Sequence, residues 1–355
     1  MMGYLETPIQ VAIELTSGCN QNCVHCFAES YPKSPNDLLS ELSFEEIRDL
    51  LYELSSMKVF RVVLTGGEPL LRKDFFEILK QCVALRLSPS ITTNGTLITK
   101  HVAARFGEID INVGLQISLY GATSEAHNKF VVTDGAFEKS IRGIKNLLTS
   151  GITPSVSVTV TKLNYREIPK LTVLVDSLGV RELHVLNLVP SGRGRQIWSS
   201  VLNAQEWLWI FNTLCHMSLK MRIIFDLKPY LPVVPSGYLE RITADMVQRD
   251  FEFVGCPCGR TWCTVLSDGK VTACSYLRDP KFYAGDIRTA PLERIWKESL
   301  VLHQWRGDTL YQLDELCRSC RFLDLCRGGC PAAAYSFYGI MRSPDPRCPL
   351  AQIMS

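Results

Sequence analysis

Cys19-Asn20-Gln21-Asn22-Cys23-Val24-His25-Cys26 is the stretch that decides the reading of this chain. It follows directly on Val11–Leu15, a short apolar run that reads as a buried strand. Three thiols at C-x3-C-x2-C spacing on one loop suit three irons of a 4Fe–4S cluster. A fourth protein ligand is missing locally. One iron is thereby left open to bind a small molecule, whereas fully ligated clusters mostly transfer electrons.

Working outward, the pattern strand, loop, helix repeats from about residue 8 to 225. Candidate strands are Val11–Leu15, Arg61–Thr65, Ser90–Thr93, Val113–Leu119, Ser155–Val160 and Glu182–Asn187, each short and rich in Val, Ile, Leu and Thr. Ser43-Phe44-Glu45-Glu46 opens a helix as a capping box. Further helices are expected over Asp74–Leu87, Phe137–Thr149 and Arg166–Leu178, the last two ending at Gly151 and Gly179. Six βα units are too few for a closed eight-stranded barrel. The expectation is an α/β fold, a partial (β/α)6 barrel with its site at the C-terminal strand ends. Residues 226–254, with a Pro-rich start, read as a connector.

The 355 residues include 14 cysteines, and nine of these lie between Cys256 and Cys348. Residues 255–350 show little helix signal beyond Pro291–Ser299. A small domain short of core and dense in thiols is expected to be held by metal. Apolar residues make up 46% and charged residues 21% of the chain, which excludes a disordered polymer. The formal net charge is +2, from 38 basic and 36 acidic residues, so no nucleic-acid partner is expected. There is no apolar run of membrane-spanning length and no secretion signal, so a cytoplasmic protein with no membrane partner is expected. Clustered thiols in that compartment read as metal ligands rather than disulfides.

By these residues the chain resembles the radical S-adenosylmethionine (SAM) enzymes. The first cysteine run matches their signature, with His25 in the place of the usual aromatic residue before the third cysteine. Gly66-Gly67-Glu68-Pro69, after the second strand, matches their GGE motif. The glycines permit close backbone approach, and carbonyls with Glu68 are suited to accept from an ammonium group. The resemblance implies that His25, Phe27, Gly66, Gly67, Glu68, Thr93, Asn94, Ser118, Val160 and Thr161 contact SAM. It also implies that SAM is cleaved to a 5′-deoxyadenosyl radical that abstracts hydrogen from substrate. One departure is that His127 is followed four residues later by Val131, where many relatives place an Arg for the methionine carboxylate. Lys129 is the substitute candidate.

The C-terminal cysteines resemble the seven-cysteine SPASM domain, which binds two auxiliary 4Fe–4S clusters. The resemblance implies Cys256, Cys263, Cys274 and Cys330 for the first auxiliary cluster. Cys317, Cys320, Cys326 and Cys348 are implied for the second. The motif supplies seven of eight ligands. Cys263 is the choice for the eighth, and Cys258 is its rival, which would leave Cys263 buried in a strand. Cys82 and Cys215 read as core residues. A hairpin is expected with Asp268-Gly269 at its turn.

Ser275 and Tyr276 follow Cys274 where sulfatase maturases carry a basic Asp, which argues against that activity. Gln116–Gly121, Pro190–Arg195 and Ala284–Ile287 look closer to the pyrroloquinoline quinone and mycofactocin peptide maturases and to haem-pathway members. Arg193 and Arg195, on a glycine-rich loop after the sixth strand, are candidates to hold a substrate carboxylate, with Tyr120 and Tyr276 as further contacts. No catalytic base is assigned. The expectation is an oxidoreductase that modifies a ribosomally made peptide, by cross-linking, decarboxylation or epimerisation. The alternatives are oxidation or decarboxylation of a tetrapyrrole or other small carboxylate, and a non-catalytic iron–sulfur electron carrier. Expected partners are the substrate and an external donor of flavodoxin or ferredoxin type. With 18 residues ahead of Cys19, a fused leader-binding domain is not expected, and a separate protein would supply one.

Overall fold

Alternation along the first strand, β1 (Gln10–Glu14), sets the architecture. Val11 and Ile13 are fully buried on one face, while Gln10, Ala12 and Glu14 point to the other. The computed structural model describes residues 5–109, 114–217, 221–226, 228–236, 256–306 and 313–352. Most of the expected connector lies outside the described residues.

Parallel strands β2 (Arg61–Thr65), β3 (Ser88–Thr93), β4 (Gly114–Ser118), β5 (Ser155–Val160), β6 (Glu182–Asn187) and β7 (Arg222–Phe225) follow β1 in sequential order. The start of the fourth expected strand, at Val113, lies outside the described residues. The strand β7 is a seventh member that sequence reading did not assign. Only four residues long, it pairs with β6 from Glu182↔Arg222 to Val185↔Phe225.

Helices α1 (Phe44–Ser56), α2 (Phe75–Ala84), α3 (Lys100–Gly107), α4 (Ser124–Val131), α5 (Ala136–Thr149), α6 (Ile168–Ser177) and α7 (Ala204–His216) run between the strands. The capping box of α1 forms as expected, with Ser43 and Glu46 bonding reciprocally. Apolar residues of the helices pack on Val11, Ile13, Val62, Leu64, Ile91, Leu115, Ile117, Val156, Val158, Leu183 and Val185 as one core. The alternate residues Thr92, Gln116, Ser118, Thr159 and His184 are half-buried and polar. They face the interior of a partial barrel, so the interior is a polar chamber rather than packed core.

After the barrel, β8 (Trp262–Val265), β9 (Lys270–Thr272) and β10 (Tyr283–Asp286) form an antiparallel meander. The expected turn is present, with Gly269 at φ +89°. The strand β8 also pairs in parallel with β1, Val11 opposite Cys263. The cysteine-rich region is thereby joined to the barrel edge, and the described residues form one sheet in the order β10-β9-β8-β1-β2-β3-β4-β5-β6-β7. No described helix is long and apolar enough to cross a membrane.

Candidate active site

The cysteine loop leaves the C-terminal end of β1 and is fixed on every side by backbone bonds. Gly67 N–H donates to Thr16 O at 2.7 Å and Glu68 N–H to Gly18 O at 2.9 Å. A Cβ at Gly67 would lie 2.1 Å from Gly18 O and 3.1 Å from Cys19 Cβ. Gly66 has φ +141°, and its Cβ would lie 2.4 Å from Thr16 O. What the glycines make room for here is the cysteine loop itself. Gly67→Ala is therefore expected to displace that loop and lower SAM cleavage more than about 100-fold, with about 1–3 kcal/mol lost in stability from overpacking. 5′-Deoxyadenosine formation and urea unfolding measure the two effects.

Glu68 is fully buried and its two carboxylate oxygens accept from Thr93 Oγ1 at 2.7 Å, Asn94 N at 2.8 Å and Leu70 N at 3.2 Å. Burial pushes its pKa up to about 7, against those three donors. Glu68 thus ties the β2 and β3 ends together. Asn94 Nδ2 donates to Asn20 Oδ1 at 2.8 Å, and Asn20 Nδ2 donates to Thr96 Oγ1 at 2.8 Å. This closes the third strand end onto the cysteine loop.

On the other side, Val24 N–H donates to Phe130 O and Asn22 N–H to Val131 O, at the end of α4. His25 Nε2 lies 3.0 Å from Tyr120 Oη, and Tyr120 N–H donates to His127 Nδ1 at 3.2 Å. Burial, then the Arg193 charge, lowers the His25 pKa to about 3, so its ring is neutral. Tyr120 is spent on positioning His25 and is buried under Phe130. Ser118 lies beside Tyr120 at the end of β4, on the chamber face.

Arg193 takes a different place from the one expected. Its N–H donates to Cys26 O at 3.0 Å, Nε to Cys23 O at 2.8 Å and Nη2 to Ser30 O at 2.7 Å. It clamps the cysteine loop rather than facing the chamber with a free guanidinium. Gly192, at φ +54°, lets this loop approach, since a Cβ there would lie 2.6 Å from Cys26 O. Arg195 is exposed. The Val160 side chain belongs to the helix-side core, and Thr161 is closed into a turn with Asn164.

The three thiols suit a cationic cluster. Burial pushes Cys19 up to about 12, and burial with repulsion from Cys19 and Cys26 raises Cys23. Such thiols ionise only against a metal, whose binding takes the proton's place. Gln21 Nε2 and His25 Nδ1, both buried beside them, have no partner among the described residues. A bound group would satisfy these atoms.

The C-terminal cysteines fall into two sets. Cys317, Cys320, Cys326 and Cys348 line one small cavity together with Asp345. Burial pushes Cys317 and Cys326 up to about 12. In the other set, Cys258 bonds to Cys256 and Cys274, and those contacts raise its pKa well above the ordinary value, burial adding to them. Cys330 feels the charges of Cys256 and Cys274. Cys263 is elsewhere. Paired with Val11, it points to the helix-side core and is fully buried. Its strand neighbours Trp262 and Thr264 take the opposite face, where Thr264 Oγ1 meets Ser275 Oγ at 2.9 Å. Placement therefore favours Cys258 over the expected Cys263. Cys82 is buried in the core as expected, whereas Cys215 is exposed on α7.

Among the described residues, no three His, Cys, Asp or Glu side chains close on one point as a single ion would require. A cubane spreads its thiolates, because each binds a separate iron.

Three side-chain pairs stand around the chamber mouth, and in two of them, Glu14–Arg278 and Asp345–Arg347, neither residue was singled out from the sequence. The buried Glu14, at the end of β1, pairs with Arg278. Arg278 also lies over the Phe27 ring at 5.4 Å. The Tyr276 ring meets the same Phe27 edge-on at 4.7 Å, and feels Cys274 and Cys330 behind it. Phe27 and Tyr276 thus span from Cys26 to the second thiol set. Finally, Asp345 and Arg347 form a fully buried ion pair at 2.7 Å. Asp345 accepts from Cys330 N, and Arg347 Nη1 donates to Leu188 O at the end of the barrel. Glu14 and Arg278 lie 264 positions apart, so no local signal joined them.

A strand-end cysteine loop, a Gly-Gly-Glu turn against it and two further thiol sets beside a polar half-barrel define a radical SAM enzyme with a SPASM domain. Residues 13–174 match the radical SAM superfamily, and residues 256–321 match the SPASM iron–sulfur cluster-binding domain. The chain belongs to this family and is an enzyme that uses SAM and iron–sulfur clusters. It is 33% identical to mycofactocin maturase MftC of Mycobacterium ulcerans, over 97% of this chain and 88% of the relative. It is 32% identical to an AdoMet-dependent heme synthase of Methanosarcina barkeri, over 98% of both chains. The crystal structure of Streptococcus suis SuiB bound to SAM has the same fold, at a TM-score of 0.75 and 17% identity, covering 97% of this chain and 78% of that one.

Proposed function

We propose that this enzyme carries three 4Fe–4S clusters and oxidatively modifies a ribosomally made peptide. Cys19, Cys23 and Cys26 would hold the SAM cluster, within a barrel of residues 8–225. Cys256, Cys258, Cys274 and Cys330 would hold one auxiliary cluster, and Cys317, Cys320, Cys326 and Cys348 the other, within residues 255–350. The observation that carries the reading is the Phe27–Tyr276 contact. It puts the residue after Cys26 and the residue two after Cys274 ring to ring beside one polar chamber.

When bound, SAM and its cluster supply a 5′-deoxyadenosyl radical that takes hydrogen from substrate. The chain's own residues hold and shield that chemistry. Arg193, Glu68 and the Asn20–Asn94–Thr96 network keep the cysteine loop rigid. Thr92, Gln116, Ser118 and Thr159 line the chamber that orients substrate. A cluster held by the thiols behind Tyr276 would supply an electron acceptor, which suits a net oxidation. An external donor of flavodoxin or ferredoxin type would supply the first electron, and a separate leader-binding protein would present the peptide.

The near-full-length match to AdoMet-dependent heme synthase favours one second reading, a tetrapyrrole or other small carboxylate as substrate. Anaerobic assays of 5′-deoxyadenosine formation with cell-extract fractions separate the two. The peptide reading predicts stimulation of at least about fivefold that protease destroys. Stimulation that survives protease and follows a small-molecule fraction would establish the second.

A further inference from the structure

The geometry points to Arg278 as the anchor for a substrate carboxylate at the mouth of the chamber. This rests on the chamber being the reaction site, and it names the chemistry that both substrate readings share. A guanidinium carries five N–H donors in a planar fork. In Arg278, Nε donates to Ser275 O at 3.1 Å and Nη2 donates to Glu14 Oε1. Nη1 makes no hydrogen bond to the described residues, and the side chain keeps 26% of its surface exposed. Two fixed bonds hold the fork in one orientation, and its Nη1 edge is left for a ligand.

The other candidate arginines are committed or remote. Arg193 is spent on Cys23 O and Ser30 O, and Arg347 on Asp345 and Leu188 O. Arg195 is exposed on its loop. Arg278 alone of these lies against Phe27, one residue beyond the third cysteine of the SAM loop. A carboxylate on its free edge would sit beside both Phe27 and Tyr276, so the carbon bearing it would face the SAM loop on one side and the second thiol set on the other. Charge-assisted bonds of this kind are about twice as strong as neutral ones. The neighbouring charges include Glu14, which competes for the same guanidinium, Asp268, which acts on Glu14, and Lys270 and Asp279, which act with Arg278 on Tyr283.

The test uses the full reconstituted chain with SAM and two pairs of probes. One pair is coproporphyrin III and its tetramethyl ester, followed by fluorescence. The other is a random hexapeptide library with free C-termini and the same library amidated, followed by affinity selection and mass spectrometry. Wild type is expected to prefer the acid of one pair by at least about tenfold, and the pair that responds identifies the source of the carboxylate. R278Q is expected to lose the preference and R278K to regain part of it. E14Q, which removes the competitor and keeps Arg278, is expected to bind the acid more tightly. No acid preference in wild type, or one that R278Q retains, would overturn the assignment. Should R278Q lose iron, E14Q decides, and unchanged or weaker acid binding overturns it. A wild type that binds acids but forms no 5′-deoxyadenosine would instead count against the radical chemistry.

Discussion

Replacing Cys23 with alanine is expected to abolish 5′-deoxyadenosine formation, a loss of more than about 1,000-fold, while roughly two-thirds of the iron stays bound. The magnitude follows from where the thiol sits. Cys23 lies between Cys19 and Cys26 on a loop whose backbone is held by Arg193, α4 and the Gly66–Gly67 turn. The fold around it does not depend on the thiol, because those restraints are carbonyl and amide bonds. The defect should therefore be local. Thermal unfolding should change little, and the auxiliary thiol sets, which flank the β8–β9 hairpin and lie on the helical segment beyond, should load normally. Persistent SAM cleavage in C23A would remove the basis for assigning this loop to the SAM cluster.

The pair Cys258→Ala and Cys263→Ala is expected to divide cleanly. C258A should lose roughly a third of the iron, since Cys258 lies against Cys256 and Cys274. C263A should keep its full iron and lose about 1–2 kcal/mol of stability, the cost of a small cavity in a packed core. Cys263 is opposite Val11 with its side chain on the helix face, and no reorientation short of breaking the β1–β8 pairing would bring it to the thiol set. Iron analysis and urea unfolding of the two variants decide it. A C263A protein short of iron would contradict the placement.

The barrel was legible because its signals are local. Each of the first six strands is a short run rich in Val, Ile, Leu or Thr, α1 announces itself with a capping box, and the first cysteine run sits on one loop. What was not legible depends on partners far along the chain. The strand β7 is four residues with no periodicity to read, and only its pairing with β6 defines it. Nothing in Trp262–Val265 says that it will pair with β1, and that pairing is what turns Cys263 away from the other thiols. Arg193 reads from the sequence as a substrate contact, and its role as a clamp shows only once Cys23 O, 170 positions away, is brought to it. Glycines 66 and 67 read from the sequence as places where the backbone approaches a ligand, and in the structure the chain's own backbone at Thr16 and Gly18 lies against them. The four thiols expected for the second auxiliary set lie on short segments and line one cavity.

The assignment of the Cys19–Cys23–Cys26 loop to a SAM-cleaving cluster is tested most directly by anaerobic turnover of SAM by the reconstituted, fully iron-loaded protein with a low-potential reductant. It predicts 5′-deoxyadenosine above the level of the C23A protein, with further stimulation when substrate-bearing extract is added. Full iron with no 5′-deoxyadenosine beyond that of C23A, with or without extract, would contradict it.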